Sequence, residues 1–533
     1  MKPTTVRRDG RAKAVGMATL VVALGAVALG AGPSRADADA PFRAEAFIAG
    51  LDFDRAREEL ASADPQDPRV VLARARLAIN ELDCDGAAVL LADADVQKAD
   101  EGGQLGDMAR GCQRVTAALA VDRDEARGIE VRWQDEHDRA LAPRLFDTVA
   151  EARAALTRDL GVDWPKPTRI VVVRDLLSLS AMTGLPYESA QTTGTLAVAK
   201  WGRVTMLSPR ASRHGYAWRD TVAHELTHLA VTRATRDRAP LWLQEGIAKR
   251  QETRWRDPGP FDDRPPPDAV VLEGERRKLD LPLDKLGPSI AMLPSAEQAM
   301  VAYAEVTSFV RFYADSQGSS ALPKLLAECR VAKDADAALL AASGADLKGW
   351  DVRWRAAVNA ADARVREAAK SAMGPDAQGG ADEKDKWGDV RDRSRLADLL
   401  LSRAHPAEAL HELDALDVRG GAGSLLAGDA SLRWMRARAL EGAGRRAEGE
   451  PLVADAKDVV ASYAPWWALR GRWFRVAGDE AAAVLSFEAS LAEDPFEPEA
   501  ACETIDAGRP ADAEKGPLCD AARAASGPPF GQD

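Results

Sequence analysis

The strongest restriction on the fold comes from a helical segment with two histidines four residues apart. In TVAHELTHLA, residues 221–230, His224 and His228 flank Glu225, and this HExxH pattern occurs once. Residues four apart lie one turn above each other on a helix, so both imidazoles can face one point. Two neutral imidazoles are ordinary zinc ligands, and Glu225 can reach a bound water. A metal-free pair of helix-surface histidines is the alternative for the motif alone.

A second segment downstream supplies a candidate for a third ligand. Residues 240–248, PLWLQEGIA, predict a helix that has Pro240 in its first turn. Glu245 follows His228 by seventeen residues, which leaves room for a loop and an antiparallel return of the chain. We therefore expect the Glu245 carboxylate to face the two imidazoles. The alternative is a solvated charge, which its apolar neighbours disfavour because burying an unpaired carboxylate is costly.

The region around these motifs has the mixed pattern of an α+β domain, which we place at residues 126–360. Short strands are predicted from β-branched or alternating runs at Ile129–Trp133, Arg169–Val173, Thr195–Lys200 and Val204–Leu207. The last strand is either an exposed edge that pairs with an extended substrate or a plain internal strand. The pattern predicts a helix-rich α+β fold with a small mixed sheet.

Both metal motifs resemble those of a known superfamily. HELTH followed by PLWLQEGIA is similar to the gluzincin zinc metallopeptidases, and in particular to bacterial peptidase-MA-like domains. Residues 194–209 are similar to the strands that precede the metal helix in such proteins, and residues 302–312 resemble the helix that follows it. The resemblance covers the central domain and says little about the regions on either side.

The resemblance implies a site with one zinc ion. His224, His228 and Glu245 would be the metal ligands, and Glu225 would be the catalytic base in the hydrolysis of peptide bonds. Such enzymes often use a tyrosine or histidine from late in the chain as a hydrogen-bond donor to the oxyanion. Tyr303 is our candidate for this catalytic role, and an ordinary packing tyrosine is the equal alternative.

Two further residues near the motif have open interpretations. His214 lies on the loop before the metal helix and is a second candidate for the donor, although a surface role is favoured. Asp220 lies one turn before His224. It either orients that imidazole or serves as the negative charge that a helix N-terminus favours.

Helical regions flank the central domain at residues 41–125 and 391–525. Within them, Phe53–Asn80 and Gly478–Pro495 resemble tetratricopeptide-type helical pairs, which must stack on neighbours to bury their apolar faces. The alternative is a generic helical bundle without repeat identity. A stretch rich in glycine predicts a linker at residues 361–390. We expect these two arms to bind substrates or protein partners.

The first 38 residues have the layout of a secretory signal peptide. Basic residues precede an apolar run at residues 14–31, and small residues follow at residues 34–38, where cleavage is expected. An uncleaved membrane anchor is the alternative. We therefore expect an exported protein, periplasmic or extracellular, with no stable membrane span after cleavage.

Export would place the five cysteines where disulfides can form. Cys84 and Cys112 fall in one helical region, and Cys502 and Cys519 lie together near the C-terminus. We predict these two pairs and a free Cys329, although spacing alone leaves other connectivities open. The cysteines are too dispersed for a thiolate zinc site, so the metal hypothesis depends on histidine.

The composition is that of a folded, helix-rich protein rather than a nucleic-acid binder. Hydrophobic residues make up 46% of the 533 residues and charged residues 29%, whereas aromatic residues are only 5%. The formal net charge is −13, and lysine and arginine form no long basic block. We therefore expect no nucleic-acid partner.

Three functional hypotheses follow. The leading one is an exported zinc-dependent endopeptidase that acts on a peptide or protein substrate. The main alternative is a catalytically inactive envelope scaffold that binds partners through its helical arms. The presence of all three ligand candidates and the base disfavours this scaffold. A third is a cell-wall hydrolase that acts on a non-protein amide.

Overall fold

The computed structural model describes residues 39–98, 102–162, 166–212, 215–257, 262, 266–372, 393–394, 396–401, 403–420, 430–454, 464–511 and 515–525. The predicted signal peptide and His214 lie outside these ranges. Within them, no helix combines the length and the apolar character that a bilayer crossing requires.

A five-stranded mixed sheet forms the centre of the described chain. Its strands are β1 (Ala120–Asp124), β2 (Ile129–Trp133), β3 (Thr168–Val173), β4 (Ala197–Lys200) and β5 (Arg203–Leu207). The order across the sheet is β1-β2-β3-β5-β4. The pairs β2/β3 and β3/β5 are parallel, whereas β1/β2 and β4/β5 are antiparallel. The predicted helix-rich α+β class with a small mixed sheet is confirmed.

The position of β5 decides between the two interpretations of residues 204–207. This strand lies between β3 and β4, so it is internal, and its use as an exposed edge was the wrong expectation. Within the described part of the chain, the free edge on this side belongs to β4. Sequence alone does not set this order, because both strands of a hairpin have the same local pattern.

Helices cover both faces of the sheet because its central strand is apolar on both sides. In β3, Ile170 and Val172 face the main core, and Val171 and Val173 face a smaller core on the other side. All four side chains are fully buried. Such continuous apolar runs are typical of parallel strands that are covered on both faces.

The N-terminal arm is helical, as predicted. Its helices are α1 (Ala40–Ala49), α2 (Phe53–Ala61), α3 (Pro68–Asn80), α4 (Cys84–Leu90), α5 (Ala94–Lys98) and α6 (Gly102–Thr116). A disulfide joins Cys84 to Cys112 across α4 and α6, which confirms the predicted pair. Helical pairs are present here, but their tetratricopeptide identity stays a prediction.

The predicted boundary between residues 125 and 126 needs correction. It falls inside the β1/β2 hairpin, where Asp124 pairs with Ile129. Because β1 is a strand of the central sheet, the α+β unit begins by Ala120. The residues of β1 alternate between intermediate and exposed, so they lack the apolar signal of the inner strands.

The central helices carry the candidate site and most of the core. They are α7 (Ala142–Leu160), α8 (Leu176–Thr183), α9 (Tyr187–Thr193), α10 (Trp218–Thr235), α11 (Leu241–Gln251), α12 (Pro267–Arg277), α13 (Ala296–Gln317), α14 (Ala321–Val331), α15 (Ala335–Ser343) and α16 (Leu347–Ala372). α16 extends into the predicted linker, so residues 361–372 are helical rather than linker. The part of the linker from 373 to 390 lies outside the described residues.

The C-terminal arm is also helical. Its helices are α17 (Pro406–Gly420), α18 (Ala430–Gly442), α19 (Arg446–Ala454), α20 (Ala464–Val476), α21 (Glu480–Glu493), α22 (Pro498–Asp506) and α23 (Lys515–Ala525). A disulfide joins Cys502 in α22 to Cys519 in α23, and Cys329 is free and buried. The second predicted pair and the free cysteine are therefore confirmed.

This arm contacts the first turn of α10. The Trp218 indole donates a hydrogen bond to the Glu493 carbonyl oxygen at 2.8 Å, and Arg219 lies 3.1 Å from the Glu493 carboxylate. The Phe496 side chain enters the main core, with the Arg210 guanidinium 5.3 Å from its ring centre. The C-terminal arm therefore packs against the helix that carries the two histidines.

Candidate metal centre

Helix α10 presents its two histidines toward one point. The ring nitrogens His224 Nε2 and His228 Nε2 are 3.3 Å apart, and the ring centres are 5.0 Å apart in an edge-to-face arrangement. The opposite face of α10 is held in the core by Val222 and Leu226, which are fully buried. The four-residue spacing on a packed helix therefore gives the convergence that the sequence predicted.

Helix α11 brings Glu245 to the same point. Pro240 forms its N-cap, and Glu245 Oε2 lies 3.6 Å from the Nε2 atom of each histidine. Glu245 is only 8% exposed, and none of the described residues donates a hydrogen bond to this oxygen. The expectation that Glu245 faces the imidazoles is met, whereas its role as a metal ligand remains to be tested.

Close packing between α11 and α13 fixes the position of Glu245. A Cβ atom at Gly246 would lie 2.3 Å from Val310 Cγ2 and 2.5 Å from the Val306 carbonyl oxygen. Beside this contact, the Trp242 and Phe309 rings meet edge to face at 5.2 Å. Only glycine at position 246 lets the two helices approach this closely.

The spacing of the three donor atoms fits one tetrahedral ion. Ligands bound to zinc at about 2.0–2.2 Å in tetrahedral geometry lie about 3.3–3.6 Å from one another. The three observed separations are 3.3, 3.6 and 3.6 Å. Together with the unpaired Glu245 oxygen, this spacing shows that the residues fit a bound divalent cation.

Glu252 orients the first histidine, and the sequence analysis missed it. Its Oε2 lies 3.2 Å from His224 Nδ1, while its Oε1 accepts a hydrogen bond from Lys249 Nζ at 2.5 Å. Glu252 follows Glu245 by seven residues, about two helical turns. Glu252 is the C-cap of α11 and keeps helical dihedral angles, so this spacing puts both carboxylates on one side of the helix and was the signal that could have identified it.

Asp220 does not have the orienting role that was one of its two interpretations. Its carboxylate accepts two hydrogen bonds from Arg256, at 2.8 and 2.9 Å, and one from the Trp255 indole at 3.0 Å. These partners lie beyond α11 in the chain, so no local pattern around Asp220 indicates them. Asp220 instead lies in the first turn of α10, where its charge suits the helix dipole.

Glu225 is buried between the imidazoles and the free edge of the sheet. It is 7% exposed and accepts a hydrogen bond from the backbone of Ala199 in β4. Burial raises the pKa of its carboxyl group, and the imidazoles of His228 and His224 partly oppose this rise. β4 therefore runs directly beside the group that was predicted to be the base.

The electrostatics of the cluster favour a cation. Burial lowers the pKa of His224, but the adjacent carboxylates of Glu245 and Glu252 outweigh burial and raise that pKa to about 10. Burial raises the pKa of Glu245, yet the nearby imidazoles lower it overall. Lys249 and His224 likewise overcome burial and lower the pKa of Glu252 to about 2. The carboxylates thus stay ionised and attract positive charge.

Tyr303 lies in the same cleft, on α13. The cleft has a volume of about 1220 Å³ and includes Tyr303 with His224, Glu225, His228 and Glu245. Burial raises the pKa of Tyr303 well above its usual value, and the nearby carboxylates raise it further. The phenol therefore keeps its proton and remains a hydrogen-bond donor. Its catalytic role stays a prediction.

Comparison with known proteins places this site inside a recognised domain. Residues 148–360 match the family model of the Peptidase MA superfamily, whose members are typically metal-dependent. Neither the curated proteins nor the solved structures that were searched gave a match. The matched region includes α10, α11 and α13, and both arms lie outside it. Residues 148–360 thus form a peptidase MA-like domain.

Proposed function

We propose that this protein is an exported zinc-dependent endopeptidase that hydrolyses bonds in peptide or protein substrates. The observation that carries the proposal is the Glu245 carboxylate, which is buried with one oxygen unpaired, 3.6 Å from both histidine nitrogens. A buried anionic oxygen without a partner is destabilising unless a cation binds it. The peptidase MA-like domain supports a peptidase with a metal at this point.

His224, His228 and Glu245 are the residues that would hold the zinc ion. Three protein ligands leave a fourth position for water or substrate, as in catalytic rather than structural zinc sites. A zinc ion held by these residues would polarise a substrate carbonyl and lower the pKa of a bound water toward neutrality. Glu252 keeps the His224 ring in position through its contact with Nδ1.

Glu225 and Tyr303 are the proposed catalytic residues. The Glu225 carboxylate accepts a proton from the attacking water and delivers it to the amine nitrogen that leaves. The Tyr303 phenol donates a hydrogen bond to the carbonyl oxygen as negative charge develops there. Both side chains line the cleft beside the histidines.

The free edge of β4 is the proposed guide for the substrate. Unpaired backbone groups on an edge strand can bind an extended peptide by adding it to the sheet. Because Ala199 in β4 contacts Glu225, a peptide paired with this edge would pass the catalytic groups. The edge interpretation that failed for β5 therefore applies to its neighbour.

Export is part of the same proposal. The N-terminal sequence has the layout of a signal peptide, and the described chain has two disulfides, Cys84–Cys112 and Cys502–Cys519. Disulfides persist in oxidising compartments such as the periplasm or the extracellular space. A fraction-by-fraction immunoblot of producing cells would test this location.

A Glu225→Gln variant tests the proposed activity. We expect it to bind about one equivalent of zinc, because the three ligands remain, and to cleave denatured casein about 10²–10⁴-fold more slowly. Bound zinc is measured by elemental analysis, and cleavage by the release of soluble peptides. Chelation should abolish wild-type cleavage, and added zinc should restore it.

The control is Glu188→Gln, which makes the same change at an exposed residue outside the cleft. It should cleave casein like the wild type. Retained cleavage by Glu225→Gln would contradict the assignment of the base. A wild-type protein that binds zinc and cleaves neither casein nor shorter peptides would instead favour the scaffold alternative.

A further inference from the structure

The N-terminal arm is fastened to the central domain by two arginines. Arg203 in β5 is fully buried and donates a hydrogen bond to the Ile79 carbonyl oxygen at 2.6 Å, at the end of α3. Arg233 in α10 donates to the carbonyl oxygens of Gly50 and Leu51 at 3.0 and 3.1 Å, just after α1. Cationic donors at helix C-termini are stabilising, so the C-terminal ends of α1 and α3 are fixed against the central domain.

The turn between β4 and β5 packs directly against the same arm. Gly202 has a φ of +64°, and a Cβ atom there would lie 2.8 Å from Phe53 Cζ in α2 and 3.2 Å from Asn80 Oδ1 in α3. The close approach leaves no room for a side chain. The free edge strand beside Glu225 therefore ends against the helices of the arm.

The cleft that contains the metal centre continues to the arm. Its lining includes six arm residues, which we call the arm wall: Glu45, Ile48, Ala49, Leu51, Arg76 and Asn80. Glu45 and Arg76 form an ion pair at 2.5 Å, and the Asn80 amide donates to the Arg76 carbonyl oxygen at 2.8 Å. The arm wall thus combines a neutralised charge pair with small and apolar side chains.

We propose that the arm wall is a substrate subsite that binds the extended chain of a polypeptide at a distance from the scissile bond. The proposal rests on the proposed peptidase function and extends it. An extended chain advances about 3.3 Å per residue. From Ala199 beside Glu225, two or three residues of β4 and its turn lead to the arm. A substrate along this edge reaches the arm wall roughly three to five residues from the cleaved bond.

The chemistry of the arm wall indicates which substrates it accepts. Because Glu45 and Arg76 neutralise each other, the wall offers no single charge for a free amino or carboxyl terminus. Ala49 is half-buried and Ile48 and Leu51 are each 5% exposed, so the wall offers a small apolar surface that suits the side chains of an internal segment. Long polypeptides rather than short peptides are therefore the substrates that gain binding energy here.

An Ala49→Trp variant tests this subsite. The indole would project into the cleft from a half-buried position at the end of α1. The cut sites are first mapped in casein, and two fluorescence-quenched peptides are then made around one of them. The short peptide has about two residues on each side of the cleaved bond, and the long peptide has about eight. We expect kcat/KM for the long peptide to fall about tenfold more than for the short peptide.

Binding provides a second measurement that does not depend on turnover. In the Glu225→Gln background, anisotropy of the labelled long peptide should show a Kd about tenfold higher when Ala49→Trp is added. Arg76→Ala, which removes half of the ion pair without adding bulk, should weaken binding of the long peptide in the same direction. The matched control is Ala46→Trp, which changes an exposed alanine of α1 that does not line the cleft.

The outcomes separate the two proposals. Equal effects of Ala49→Trp on both peptide lengths, or unchanged binding of the long peptide in both arm-wall variants, would overturn the subsite. If the wild type does not cleave casein, the peptidase function fails, and the arm wall is then judged by binding of labelled denatured casein, which Ala49→Trp should weaken and Ala46→Trp should not. Thermal melting of each variant excludes misfolding as the cause of a loss.

Discussion

The Glu245 carboxylate is the residue whose environment most needs explanation. One of its oxygens is buried and receives no hydrogen bond from the described residues, at a cost of about 1–3 kcal/mol or more for a charged group. The oxygen lies between two imidazoles, and a cation bound there would be coordinated by this oxygen and by the two ring nitrogens. Such a cation would offset the cost. Glu245 therefore lowers the stability of the metal-free protein and raises its affinity for a metal ion.

Glu252→Gln tests whether the contact with His224 positions that ligand. We expect zinc affinity to fall about 10–100-fold, because the carboxylate at 3.2 Å fixes the ring orientation and makes the imidazole a better donor. Competition with a chromogenic chelator measures the affinity. Glu151→Gln, at an exposed position of α7, is the control. An unchanged zinc Kd would show that Glu252 only pairs with Lys249.

The sequence predicted the ligand candidates because their geometry is local. The spacing of His224 and His228 on one helix is enough to make them converge, and the apolar neighbours of Glu245 indicate burial. Asp220 was ambiguous because its partner, Arg256, comes from a later part of the chain. Glu252 lies seven residues after Glu245, which places the two carboxylates on one side of the helix, but its contact with His224 also depends on how α11 lies across α10.

At the scale of elements, the packing of α11 on α13 determines where the third ligand candidate lies. Strands were predicted well where β-branched residues are buried on both faces, as in β3. The order of the strands in the sheet was not predicted. It depends on which strand pairs with β3, and this pairing places β5 inside the sheet and β4 at its edge. β1 was missed because its residues are not buried, so its pairing with β2 leaves little pattern in the sequence.

Gly246→Ala should disturb this element packing. The added methyl would meet Val310 and the backbone of Val306, so α11 must move away from α13 at a cost of about 1–3 kcal/mol. Because Glu245 is the adjacent residue, we expect weaker zinc binding together with a lower melting temperature. Calorimetry and chelator competition measure both.

Gly103→Ala is the matched control for this change. Gly103 is an exposed residue of α6, and the nearest atom to an added Cβ is 4.0 Å away. Alanine there should be neutral or slightly stabilising, since it favours the helix. A Gly246→Ala variant with the stability and zinc affinity of the wild type would show that α11 can shift without moving Glu245.

At the scale of the whole molecule, described residues of both arms contact the central domain directly. The C-terminal arm inserts Phe496 into the main core and brings two acids to the contact region, the buried Asp494 and the half-buried Glu497. Burial raises the pKa of Asp494 to about 6, although Phe496 N–H donates to it. Burial likewise raises the pKa of Glu497 to about 7, although a hydrogen bond from the Ala500 N–H and the charges of two arginines act to lower it.

These two acids make stability depend on pH. In the unfolded chain they lose their protons near pH 4, whereas in the folded protein they keep them to about pH 6–7. The folded state binds more protons in this range, so the contribution of these groups to stability falls as pH rises from about 4 to 7.

Asp494→Asn and Glu497→Gln cannot ionise and should therefore be more stable than the wild type at pH 8, by roughly 2 °C in Tm. The difference should disappear near pH 4. The control, Asp479→Asn, changes an exposed helix-capping acid outside the contact region and should gain no stability at pH 8, because Asn caps a helix as well as Asp does. A pH-independent difference for both Asp494→Asn and Glu497→Gln would contradict the role of burial.

Helix α10 is anchored at its beginning through Trp218 and Arg219 and near its end through Arg233. Segments from opposite ends of the chain thus immobilise the two imidazoles before any ion arrives. Little reorganisation is then needed when the ion enters, so most of the ordering entropy has already been lost during folding. Selectivity among divalent ions should accordingly follow the rigidity of this scaffold, and ions that need a wider or more flexible coordination shell would be disfavoured.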